Sequence, residues 1–321
     1  MNQKTKNILS TLFRIGLSCF LLYYLYTKID VEKTVTVLKA ADLGYILYAG
    51  IVFLIINAVL FLRWVIYIKA FELTVSIKTV ARYFFIGLFG NLFLPSAIGG
   101  DFIKTIGLCL YSPHKAKVVA SVLLDRLSGF AGMVVVAIVS FSFGFHLIND
   151  WTLFFAIVGM TVVSSAIVFI LFNEKAYSFC CQIFSRLPKV KNALMSLHYD
   201  IALLKDRRIA LYQSVGLSCL VQMLSAVLYL LIGKALQQDI GIIYLFIFIP
   251  LICVAASMPS IGGLGVREAG AAYLLAKIGI ESGISVSISL VSFLFMVAMG
   301  LVGGMIYVAT KSPVIDKPAS K

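Results

Sequence analysis

Pro95-Ser96-Ala97-Ile98-Gly99-Gly100-Asp101 and Pro259-Ser260-Ile261-Gly262-Gly263-Leu264-Gly265 are two places where a long apolar stretch of this chain is interrupted in the same way. Proline removes a backbone donor and stops an incoming helix, while paired glycines permit a sharp reversal. Each break therefore predicts a region, about 64–112 and 241–280, that enters an apolar layer, turns, and returns as two half-helices. Backbone exposed at such a turn needs cover from protein or a wet cavity, because lipid offers it no hydrogen bonds.

The composition demands that apolar layer. The 321 residues are 61% hydrophobic and 13% charged, with a mean hydropathy of +1.02; a soluble domain runs at about 45–50% and about 25%. Uninterrupted apolar runs at about 8–27, 43–62, 118–147, 152–172, 209–232 and 283–310 are long enough to cross roughly 30 Å of hydrocarbon. The first follows a basic N-terminus but lacks a small-x-small cleavage site, so it is read as a retained helix. A disordered chain, a collagen and a disulfide-stapled secreted domain are excluded. The predicted fold is an all-α polytopic membrane protein with about six transmembrane helices and two re-entrant broken-helix hairpins.

Spacing turns the two breaks into a repeat. Pro95 and Pro259 lie 164 positions apart, the preceding crossings start at 43 and 209, offset 166, and the following ones at 118 and 283, offset 165. Residues 1–172 thus hold the first unit and the lead helix of the second, 173–208 form a linker, and 209–321 complete the second unit. Apolar Phe179, Ile183, Phe184 and Leu187 alternate with basic residues in the linker, the pattern of an amphipathic cytoplasmic helix on anionic lipid. With both termini inside, 19 of the 27 Lys and Arg, Arg63 among them, fall on the cytoplasmic side, as short loops of membrane proteins prefer. The excess of +13 is then a topology signal and not a nucleic-acid footprint. The first hairpin enters from inside and the second from outside, so the units are inverted.

Ionisable residues at membrane depth are costly and mark candidate sites. Six flank the breaks: Asp101 and Lys104, Asp125 and Arg126, Arg267 and Glu268. Two readings stay open. The charges lock the hairpins together as ion pairs, or Lys104, Arg126 and Arg267, with free N–H groups at the half-helix starts after Gly100 and Gly265, receive a phosphate while the acids orient the cations or bind an amine. Ser96 and Ser260 read as local backbone caps. Gly300, Gly303 and Gly304 permit close helix packing, within one chain before any packing between two copies.

No Walker, HExxH, GxSxG or EF-hand pattern occurs, and neither the six cysteines nor the three histidines have metal-ligand spacing. No cofactor, metal or catalytic residue is expected. PSAIGGDFIKTIGL (95–108), LLDRLSGF (123–130) and PSIGGLGVREAG (259–270) resemble the signature segments of the lysylphosphatidylglycerol synthase transmembrane family, also called flippase-like or UPF0104. That family includes the membrane half of the multiple peptide resistance factor. Where its pattern often has Arg after the GGD segment, this chain has Lys104, which keeps the charge and loses the bidentate fork.

The resemblance implies the translocating half without the soluble aminoacyl-transferase half: a flippase in a prokaryotic cytoplasmic membrane. Its partner would be a lipid with an anionic or glycosylated headgroup; a separate lipid-modifying enzyme and a second copy of the chain are further expected partners. A membrane enzyme using Asp101, Asp125 or Glu268 as general base, and a secondary transporter of a small solute, are the alternatives.

Overall fold

The computed structural model describes residues 39–93, 99–148, 150–173, 175–178, 208–257 and 264–310. The predicted crossing at 8–27, most of the linker, and Pro95, Ser96, Pro259, Ser260, Gly262 and Gly263 lie outside them. The elements are α1 Leu43–Ala70, α2 Ile77–Phe93, α3 Gly99–Cys109, α4 Lys115–Ile148, α5 Trp151–Phe172, α6 Arg208–Ala235, α7 Ile242–Ala256, α8 Val266–Ala276 and α9 Ser282–Ala309. Among the described residues every element is helical, and α1, α4, α5, α6 and α9 are long and apolar enough to span a membrane. Their outward faces carry large apolar side chains, such as Phe155, Val162 and Phe169 on α5, which is what a lipid solvent selects.

α3 and α8 each have 11 residues, about 16 Å, too short to cross. α3 runs back antiparallel along α2: a Cβ on Gly107 would strike Tyr83, one on Gly90 would strike Ile103, and one on Gly100 would strike the Gly87 carbonyl. Backbones this close need glycine on the facing sides. Gly99 and Gly100 are helical, so this pair does not itself form the expected reversal, and Gly100 serves the close approach instead.

The inverted repeat is visible in the crossing of α1 and α6, which are each the helix before a hairpin. Asp42 N–H donates to the Ala235 carbonyl (2.9 Å), and Arg63 Nη1 to Ser218 Oγ (3.0 Å), so equivalent helices run antiparallel. The units also exchange partners. α2 packs on α9, and α7 packs on α4, so each incoming half-helix rests on the helix that follows the other hairpin. Gly300, Gly303 and Gly304 make the first of these contacts, against Leu92, Phe85 and Phe89, which is packing within one chain.

One boundary differs from expectation. The crossing predicted to stop at 62, with Arg63 as a loop cation, continues to Ala70. Arg63 is buried and ion-paired inside the helix, so its charge does not end it.

Candidate functional site

Three of the predicted residues meet in the first unit. Asp101, in the first turn of α3, accepts Nε and Nη2 of Arg126 on α4 at 2.8 and 2.5 Å. Lys104, one turn further, brings Nζ to 3.5 Å from Asp101 Oδ1. Its stem crosses Gly87, and its ammonium lies 5.3 Å from the Trp64 ring centroid and 4.9 Å from that of Phe84. Aromatic faces stabilise a desolvated ammonium that would otherwise be too costly to bury. Lys104 is thus sealed between α1 and α2, whereas the Arg126 side chain is 30% exposed.

Asp125 turns the other way. Successive residues on a helix do not share a face, and Asp125 accepts Arg63 Nε at 2.7 Å across to α1 while Arg126 faces α3. Arg63 also donates to Ser218 on α6, so it ties together both units.

The second unit closes on itself. Gly265 has φ +83°, a conformation that glycine adopts without a Cβ penalty, and its N–H donates to Glu268 Oε2 at 2.7 Å. Oε1 of the same carboxylate accepts from Arg267 Nη2 (2.7 Å), Arg267 Nε (3.1 Å) and Ser289 Oγ of α9 (3.1 Å). Glu268 is fully buried, and Arg267 lies 4.9 Å from the Phe293 ring centroid.

All six predicted residues therefore pair: Asp101, Lys104 and Arg126 form one centre in the first unit, Arg267 and Glu268 one in the second, and Asp125 pairs separately with Arg63. One N–H at each half-helix start is taken up within the protein: that of Gly100 donates to Asn91 Oδ1 at 2.8 Å, and that of Gly265 donates to Glu268. A helix start held in an apolar layer leaves its first donors unsatisfied unless a side chain reaches them.

Sequence reasoning missed Arg63, Asn91, Ser218, Tyr229 and the buried serines 285, 287, 289 and 292 of α9. Arg63 had a legible signal, since the apolar run resumes after it as Trp64-Val65-Ile66-Tyr67-Ile68. Asn91 had none, because its role depends on the approach of α3.

An apolar groove of about 990 Å³ runs between α4, α5, α7 and α8. It extends along α5 from Thr152 to Phe169, about 26 Å. Leu127 and Phe130 of α4 and Gly270 and Tyr273 of α8 line it, and none of the six charged residues does. At the Thr152 end, outside the spanning segments, Lys277 pairs with Asp150. The Lys277 hydrogen bond holds the Asp150 carboxyl below its usual range, and Asp150 raises Lys277 in return.

The pattern of the "Lysylphosphatidylglycerol synthase TM region" family matches residues 11–304. The chain belongs to this family. A described relative, a UPF0104 membrane protein from Pyrococcus horikoshii, is 23% identical over 81% of this chain and 85% of its own length. No solved structure matches the chain. Among the described residues, no group of three or more His, Cys, Asp or Glu is placed to hold a metal ion.

Proposed function

We propose that this member of the family is a lipid translocase of a prokaryotic cytoplasmic membrane, with both termini in the cytoplasm. It passes an anionic or glycosylated headgroup between the two charged centres while the hydrocarbon chains stay in the bilayer. The observation that carries the reading is the apolar groove, about 26 Å long, lined by α4 and α8, the helices that also carry Arg126 and Arg267. A lipid needs that combination: a slot for its tails next to compensated charge for its head.

Pairing within each centre is part of the mechanism. A cation left bare at membrane depth is strongly unfavourable, and so is a bare carboxylate. Arg126, the most exposed of the three predicted cations, releases Asp101 as a headgroup phosphate replaces that carboxylate, while Lys104 at 3.5 Å keeps Asp101 compensated. In the second centre, Arg267 exchanges Glu268 for the phosphate while Ser289 and the Gly265 N–H still hold Glu268. No nucleotide-binding motif occurs in the sequence, so movement follows a gradient or a partner. A separate lipid-modifying enzyme fits as the source of the cargo.

The test is reconstitution into vesicles carrying headgroup-labelled lipids, with a membrane-impermeant reagent reporting which leaflet each occupies. Faster exchange of at least one anionic or glycosylated lipid is expected; no acceleration for any of them overturns the reading.

A further inference from the structure

Between the Arg63–Asp125 pair and the second centre lies a polar strip that neither explains. Ser214, Ser218, Gln222 and Tyr229 recur on α6 at steps of four, four and seven, so they share one face, and all four are buried. The strip meets the Arg63–Asp125 pair at one end and approaches the second centre at the other. Ser218 accepts Arg63, the partner of Asp125. Tyr229 Oη lies 3.4 Å from Ser292 Oγ, one helical turn from the Ser289 that binds Glu268.

Gln222 sits between these ends, about 6 Å along the axis from Ser218 and about 10 Å from Tyr229. It is 4% exposed, and among the described residues its Oε1 has no hydrogen-bond donor. The antiparallel register set by Asp42 with Ala235 and Arg63 with Ser218 places another buried amide, Asn57 of α1, at the same level. Asn57 and Gln222 are 165 positions apart, which is the repeat offset, so both stand where the pseudo-twofold axis passes. Leucine would pack this crossing without an unsatisfied acceptor in a low-dielectric interior, a cost that Gln222 carries.

We propose that this α6 face is the route between the Arg63–Asp125 pair and the second centre and that Gln222 Oε1 is the acceptor for a hydrogen-bond donor on the headgroup, a hydroxyl or an ammonium. The inference rests on the translocase reading and adds a selectivity to it: headgroups with a donor are held midway, and headgroups without one are not. Gln222 is here a specificity-determining residue.

The test uses the full-length chain in detergent, titrated calorimetrically with short-chain phosphatidylethanolamine, phosphatidylglycerol and phosphatidylcholine. The first offers an ammonium donor, the second hydroxyls, and the third has the charge of the first with no donor. Wild type is expected to prefer at least one of the two donor lipids over phosphatidylcholine by about tenfold, the factor that a hydrogen bond of about 1.4 kcal/mol represents. Gln222→Leu and Gln222→Met are expected to erase that ratio without lowering thermal stability, and Gln222→Asn to restore part of it. Two variants are named so that a folding defect in one leaves the other. A wild-type ratio near one, a ratio that survives in a folded variant, or equal loss for all three lipids overturns the proposal. A donor preference with no vesicle exchange of any lipid overturns the translocase reading and leaves the acceptor site standing; exchange with no donor preference does the reverse.

Discussion

In the first unit carboxylates reach across helices: Asp101 on α3 to Arg126 on α4, and Asp125 on α4 to Arg63 on α1, which in turn holds Ser218 on α6. In the second, Glu268 closes on its own neighbour Arg267 and its own helix start, with one outside bond from Ser289. The second unit has no ion pair in the corresponding α6–α9 contact among the described residues; there the Tyr229 and Ser292 hydroxyls lie 3.4 Å apart. The fold is duplicated, but its electrostatics are not. An exchange of ion-pair partners in the first unit reorganises helices from both repeats, whereas one in the second stays within α8 and α9.

That difference is open to direct attack. Arg63→Ala strands Asp125 in a buried site and should cost about 3–5 kcal/mol of stability, measured by denaturant unfolding in micelles; replacing both partners by apolar residues, Arg63→Met with Asp125→Leu, should recover most of it. A loss as small as that of an exposed pair would mean that the first unit is no more tightly tied than the second. Glu268→Gln strands the buried Arg267 charge and leaves one acceptor oxygen where two are used, so it should also cost about 3–5 kcal/mol, but its effect should not add to changes at Ser218 beyond simple summation. Asn91→Ala, which removes the cap reached from the opposite arm, should cost about 1 kcal/mol, with amide exchange quickening first at Gly100.

The smallest effect is expected at the Asp150–Lys277 pair, which is partly exposed and contributes about 0.5 kcal/mol. Asp150 is lowered by Lys277, so its share is present above the ordinary carboxylate pKa of about 3.9 and disappears as pH falls through its folded value. Lys277 is raised by Asp150, so its share is present below about 10.4 and disappears as pH rises through its folded value. Stability differences between wild type and Lys277→Gln should therefore be flat from about pH 5 to 9 and shrink outside that window. A change centred near neutrality would point to a different group.

Much of this was legible before any coordinates. Proline and glycine punctuation located both hairpins, and equal offsets gave the repeat, because those signals are local and periodic. All six charges at the breaks were found for the same reason: in a chain with 13% charged residues, each one at membrane depth stands out. Their partners were not legible. Asp125 and Arg126 are neighbours in sequence and face different helices, a matter of helical rotation that only packing fixes. Arg63 looked like a loop cation because a charge usually ends an apolar run; the apolar run that resumes after it argues otherwise, and its partner Asp125, 62 positions away, is set by packing. Caps at Gly100 and Gly265 were equally hidden, since each depends on a side chain brought by tertiary contact or by a glycine with positive φ.

The central claim is that these paired charges handle a headgroup, and the most direct test is leaflet exchange of an anionic lipid by wild type and by Arg126→Ala, in vesicles containing equal amounts of folded protein. Arg126 is the partly exposed cation of the first centre, and its loss leaves Asp101 compensated by Lys104. The account predicts acceleration by wild type that falls about tenfold or more in the variant, the loss of one charge-assisted hydrogen bond. Exchange at the wild-type rate by folded Arg126→Ala would contradict it and leave the six charges as ties between helices.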